Sequence, residues 1–252
     1  MSDDLKSIGL DFDRWQDAVE AAIGTDRLAV TGAVRGGQLI QYSDPSGAQI
    51  NILAVEPYST WAGFDAQSQT TGTLDMVNDV LALVDVTDPA GQELGTITAN
   101  LSQGPLFYEV GPQPEQPLGI TALALDAKVY PSDVEYEKAT GEVFGVVYSE
   151  GAQLVASGSG AAVPDAGAQF SARVITAERR TSDLTGQAFI HATVEGPFPF
   201  DVCLPDAADV PQPGAVIAGT ALMAASVLVT GGGCGGSGGC GCGAGGCGCG
   251  GH

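Results

Sequence analysis

The residues best suited to chemistry stand together at one end of the chain. Residues 231–252 read GGGCGGSGGCGCGAGGCGCGGH, in which Cys234, Cys240, Cys242, Cys247 and Cys249 precede His252. Thiolates bind soft ions such as zinc and copper(I), and a tetrahedral zinc site takes four ligands. The two C-x-C pairs, Cys240 with Cys242 and Cys247 with Cys249, offer those four thiolates, with Cys234 and His252 as auxiliaries. Glycine beside each cysteine lets the backbone wrap around one ion.

Such a tract is expected to be disordered by itself. Glycine loses more conformational entropy on ordering than any other residue and brings no apolar surface to offset the loss. Besides a metal ion, disulfides could organise it, although an odd number of cysteines leaves one unpaired and a reducing compartment keeps such bonds transient. A third organiser is backbone modification. The tract resembles the Gly-Cys-rich cores of azole-bearing peptide antibiotics, where cysteine is cyclised onto the preceding carbonyl, and every cysteine here follows a glycine. The alternative without chemistry is a flexible or sticky extension.

The preceding 230 residues offer less. Nucleophilic catalysis wants a base beside the nucleophile, and His191, in FIHAT, is the one histidine before the tail. Strand alternation places it on the face of Phe189 and Thr193, as a structural or surface histidine. There is no G-x-S-x-G, H-E-x-x-H or Walker loop, and no G-x-G-x-x-G after a strand. Asp11, Asp13 and Asp17, and Asp133, Glu135 and Glu137, read as solvated faces. Arg173, Arg179 and Arg180 stand out in a chain with nine Lys and Arg. They are expected to pair with nearby carboxylates, with an anion site at Arg179-Arg180 as the alternative. Cys203, in FDVCLP, reads as a small buried hydrophobe. No enzyme is expected from these residues.

A net charge of −21 sets the choice of partners. Nucleic-acid binding depends on Lys and Arg neutralising phosphates, so no nucleic acid is expected. Anionic membranes are disfavoured for the same reason, whereas cations and basic partners are favoured. MSDDLKSIGL has neither a basic nor an apolar signal region, which with the lone Cys203 in the body implies a cytoplasmic protein. The uncharged run AVIAGTALMAASVLV, Ala215 to Val229, is shorter than the roughly 20 residues of a spanning helix and reads as a buried strand or strand pair.

Among the elements that carry these residues, SIGLDF reads as a strand and Asp11 as the cap of a helix through FDRWQDAVEAAI, ended by Gly24. RLAVTGAV, GGQLIQYSD and AQINILAV follow as a meander, and residues 56–73 read as polar and irregular. LALVDV, LGTITANL and PLFYEV read as strands. GPQPEQP, residues 111–117, reads as a linker between a domain at 1–110 and a β-rich domain at 118–230. In the latter, YPSDVEYEKATG is expected to be a short helix. EVFGVVYSE, AQLVASGSG, QFSARVITAERR, QAFIHATVEG and PFPFDVCLP are expected to be strands, with TSDLTG a hairpin turn. The fold class is therefore α+β, mostly antiparallel β: a helix plus meander, then a small β-barrel or sandwich, then the Gly/Cys tail at 231–252.

AERRTSDLTGQAFIHATVEG, FDVCLPD and PQPGAVIAGTALMAASV together resemble the carboxy-terminal part of a group of uncharacterised actinobacterial proteins, over residues 170–229. The resemblance implies a bacterial lineage and no activity. The functional expectation is a non-enzymatic acidic binding protein whose tail coordinates zinc or copper(I). Its alternative is a scaffold or accessory protein that binds a protein partner and whose tail is modified or inert.

Overall fold

The computed structural model describes residues 3–160 and 162–228. Strands dominate. Two helices come first, α1 (Asp3–Lys6) and α2 (Trp15–Ile23). The strands β1 (Leu28–Val34), β2 (Gly37–Ser43), β3 (Ala48–Leu53) and β4 (Ser59–Phe64) then pair in sequence, all antiparallel, as a four-stranded sheet.

Nine further strands make a second sheet. They are β5 (Thr70–Met76), β6 (Leu81–Thr87), β7 (Glu93–Leu101), β8 (Gln113–Tyr130), β9 (Val146–Ser149), β10 (Gly167–Thr181), β11 (Ala188–Glu195), β12 (Pro199–Pro205) and β13 (Val216–Val227). Helices α3 (Gly104–Phe107), α4 (Asp133–Thr140) and α5 (Glu150–Ser157) lie in the connections. The sheet is mixed, because β12 runs parallel to β8 and β13 parallel to β7.

Its spine is the β8–β13 pair, in register from Val216–Tyr130 to Val227–Leu118. One circuit of pairings leaves β13 through β10, β11 and β12 and returns to β8. A second leaves β13 through β7, β6 and β5 and also returns to β8. Closure of this kind satisfies strand edges that would otherwise be open to other chains.

Over Leu118–Ala124 of β8, paired with Ala221–Val227 of β13, both faces of the spine are largely buried, so LGITALA reads as a continuous apolar run rather than an alternating one. Leu118, Ile120 and Ala122 of β8 and Ala221, Met223 and Ala225 of β13 join the large core. Leu123 and Ala224 point the other way, into a second core with Tyr42, Ile50 and Phe64 of the four-stranded sheet and Ala18 and Ala22 of α2. Leu5, Ile8 and Leu10, each 0% exposed, anchor the first residues to that core. Burial of each such side chain contributes about 1.5–3 kcal/mol.

Several local expectations are corrected. SIGLDF is a turn after α1, with Ile8 N–H donating to Leu5 O and Gly9 N–H to Lys6 O. Gly9 adopts φ +72°, and a Cβ there would press on Gln187 O and Phe189. Helix α2 begins at Trp15, after Arg14, so Asp11 is not its cap; the Asp11 N–H instead donates to Gln187 Oε1. Residues 56–73 hold β4 and most of β5, because pairing with β3 and burial of Trp61 and Phe64 override weak local signals. The first half of PLFYEV, Pro105–Phe107, lies in α3 rather than a strand, with Pro105 in the first helical turn, where it is well suited. AQLVASGSG lies largely in α5, because Ser149 Oγ accepts the Ala152 N–H and Gly158 closes the helix. The stretch 111–117 runs into β8, where Gln113, Gln116 and Pro117 pair with β5. Strands from both sides of it therefore share one sheet.

Other expectations meet matching elements. The run from Ala215 contains β13, YPSDVEYEKATG contains α4 with Ser132 as its cap, and TSDLTG turns between β10 and β11. Among the described residues no helix is long and apolar enough to cross a membrane.

Candidate functional site

The proposed ligands Cys234, Cys240, Cys242, Cys247, Cys249 and His252 all lie outside the described residues. Among the described residues no group of three or more His, Cys, Asp and Glu side chains is placed to hold a metal ion. What the structure does place is a set of buried polar groups where the two sheets meet.

His191 and Asp201 form the first. In the β11–β12 ladder His191 stands opposite Cys203 and Asp201 opposite Thr193, so the two are diagonal neighbours on one face. His191 Nε2 is 2.7 Å from Asp201 Oδ2, and the residues are 2% and 0% exposed. The imidazole stacks on Phe64 of β4, with ring centroids 5.2 Å apart. Asp201 also accepts the Gln67 N–H at 2.7 Å and the Ser68 N–H at 3.0 Å. Burial pushes its carboxyl up, but the donors His191, Ser68 and Gln67 outweigh that and hold it below the ordinary range.

A histidine oriented by a carboxylate is half of a general-base arrangement. Here the ring is covered by Phe64. The cysteine facing it, Cys203, is 0% exposed. Burial, reinforced by the Asp201 charge, pushes the Cys203 thiol well above its ordinary range, so it stays protonated. The arrangement joins β4, β11 and β12 and the loop after β4.

Asp44 forms the second group. It is 5% exposed and sits in the SDPSG turn between β2 and β3. It accepts the Tyr42 hydroxyl at 2.9 Å, the Ser46 N–H at 3.0 Å and, from the β10–β11 turn, the Leu184 N–H at 3.1 Å and the Ser182 hydroxyl at 3.2 Å. Burial pushes this carboxyl up too, and its donors, led by Ser46, bring it below the ordinary range. The Tyr42 phenol is pushed up to about 12 by burial and by its bond to Asp44. Asp44 thus ties the four-stranded sheet to the nine-stranded one.

The arginines singled out by their scarcity all meet carboxylates. Arg173 pairs with Glu195, Arg179 with Asp206 and Arg180 with Glu178. Arg180 also donates to Ser46 O at 2.9 Å and lies over Phe64. It walls an open polar cleft of about 650 Å³ between the 44–47 turn, residues 65–67 and the end of β10. Of the carboxylates read as solvated faces, Asp17 pairs with Arg14, and Glu135 stands 3.9 Å from Lys138.

Composition did not single out Asp44 or Asp201. The available signals were positional. Asp44 opens a D-P-S-G turn, where a carboxylate caps its own backbone. Asp201 interrupts the apolar FPFDVCLP, where a charge needs partners. Comparison with protein-family models, curated proteins and solved structures finds no match for this chain.

Proposed function

We propose that this chain is a non-enzymatic, acidic binding protein whose tail coordinates a soft metal ion, zinc or copper(I). Cys240, Cys242, Cys247 and Cys249 are the ligands, with Cys234 and His252 auxiliary. The observation that supports this is the division of the thiols. Of six cysteines in the chain, Cys203 is fully buried with its thiol kept protonated, and the other five stand in residues 231–252. A thiol must ionise to bind a metal, and the spacing of the tail brings two C-x-C pairs within reach of one ion.

Titration against a chromophoric zinc chelator tests this. The full chain is expected to take up one zinc ion, and the variant Cys240→Ser, Cys242→Ser, Cys247→Ser, Cys249→Ser is expected to take up none. Equal uptake by the variant would overturn the assignment. A second reading, a scaffold that binds a protein partner through its body, is favoured by the solvent-open tyrosine groove described next.

A further inference from the structure

The surface of β8, β13, β10 and β9 carries a groove. Tyr148 pairs with Gln169, Gln169 with Thr220 and Thr220 with Asp126, so one row of side chains crosses four strands. Two hollows of about 740 and 210 Å³ share Tyr148, Gln169 and Thr220 and so adjoin. The larger is walled by Tyr130, Tyr136, Val143 and Val146, with Glu142 beside them. The smaller runs past Leu125 to Glu150 and Asp165.

The groove is apolar where it is most open. Val143 is 68% exposed, Val146 51% and Tyr148 48%. Exposed apolar surface with a polar rim marks interaction sites. Tyrosine is well suited to them, giving large contact area at low entropy cost. The Tyr130 and Tyr136 rings meet edge to face at 5.1 Å, which fixes their orientation. Strand β9 ends the nine-stranded sheet and pairs with β10 alone among the described strands. Such an edge can receive an extended chain.

Charge selects the occupant. Glu142, Glu150 and Asp165 are exposed along the groove, in a chain of net charge −21. Of the cations nearby, Arg173 is committed to Glu195 and lies over Phe144, and Lys138 of α4 stands 3.9 Å from Glu135. Lys128 sits over the Tyr130 ring at 4.8 Å, so a ring of the groove already holds a cation on its face. We propose that the groove binds an extended peptide segment of a basic partner protein, with Lys or Arg side chains alternating with apolar ones. The apolar side chains pack on Tyr148 and Val146, and the cations meet Glu142 and Glu150. This deepens the second reading above and stands without the metal tail, whose zinc titration is read separately.

The test is fluorescence anisotropy of the full chain with three labelled octapeptides, of alternating Lys-Val, Lys-Ser and Glu-Val. Lys-Val is expected to bind about tenfold tighter than Lys-Ser, and Glu-Val is expected not to bind. Replacing Tyr148→Ser with Val146→Ser should weaken Lys-Val about tenfold, while Tyr148→Phe keeps its affinity. Glu142→Gln with Glu150→Gln should weaken binding and flatten its salt dependence. Asp13→Asn with Asp75→Asn removes the same charge outside the groove and should change neither. Equal affinity for Lys-Ser, indifference to the Tyr148 and Val146 replacements, or no binding of Lys-Val would each overturn the proposal.

Discussion

His191 and Asp201 meet at 2.7 Å on one face of the β11–β12 ladder, beneath the ring of Phe64 from the other sheet. That contact lies where the two sheets are held together. Asp201 collects donors from His191, Gln67 and Ser68. Asp201→Ala removes the acceptor of all three at once, leaving the buried His191 without its partner and the part-buried Gln67 and Ser68 N–H groups without their acceptor. The expected loss of stability is about 3–5 kcal/mol, measured as a fall in the urea midpoint. A loss under about 1 kcal/mol, the scale of an ordinary surface change, would contradict a structural role for the pair.

Acid should unfold the protein through Asp201 and Asp44. Both carboxyls are held below their ordinary range in the folded state, because buried hydrogen bonds to the charged form outweigh the cost of burial. A group lowered in this way contributes its stability fully above its unfolded pKa, about 3.9 for aspartate, and loses it as pH falls through the folded value. Stability is therefore expected to drop below about pH 4. In Asp44→Asn and Asp201→Asn the slope of stability with pH there should be shallower, as read from thermal melts across the acid range.

How much of this was legible in the sequence varies with the range of the interaction that decides each element. The hairpin turn TSDLTG, the apolar β13 and the capped α4 depend on nearby residues, and their positions could be read. AQLVASGSG was ambiguous, because short apolar runs fit strand and helix alike. The helix is set by its caps, Ser149 Oγ on the Ala152 N–H and Gly158 after Ser157, and Ser149 is itself met from outside the segment by the Thr98 N–H of β7 at 3.1 Å. β4 likewise depends on β3, and the proline-spaced start of β8 on β5. The roles of Asp44 and Asp201 needed the meeting of segments more than 130 residues apart.

Gly219 sits where β13 passes close to β8. A Cβ on it would run into the backbone of Asp126 and Ala127, and the pairing register shifts just beyond, between Thr220 and Ala221. Gly219→Ala is therefore expected to cost about 1–3 kcal/mol or more, as overpacking does. It should also disturb the groove that Gly219 helps to line. A melting temperature equal to that of the parent chain would contradict the close approach.

Cys203 should be silent in the native protein. Fully buried and held protonated, it is expected to escape iodoacetamide until the chain is unfolded. Labelling followed by mass mapping should place modification on the tail cysteines alone, and zinc should protect Cys240, Cys242, Cys247 and Cys249. Native labelling of Cys203 would contradict its enclosure.

A thiolate site in the tail can be read from the intact mass of the protein prepared without oxygen from its own host. The expected result is excess mass matching zinc or copper in the native spectrum, lost on denaturation and absent from a chain ending at Thr230. An unmodified, metal-free native mass would contradict it. So would a deficit that survives denaturation and reduction and equals one water plus two hydrogens per cysteine, which would identify azoles in place of thiolates.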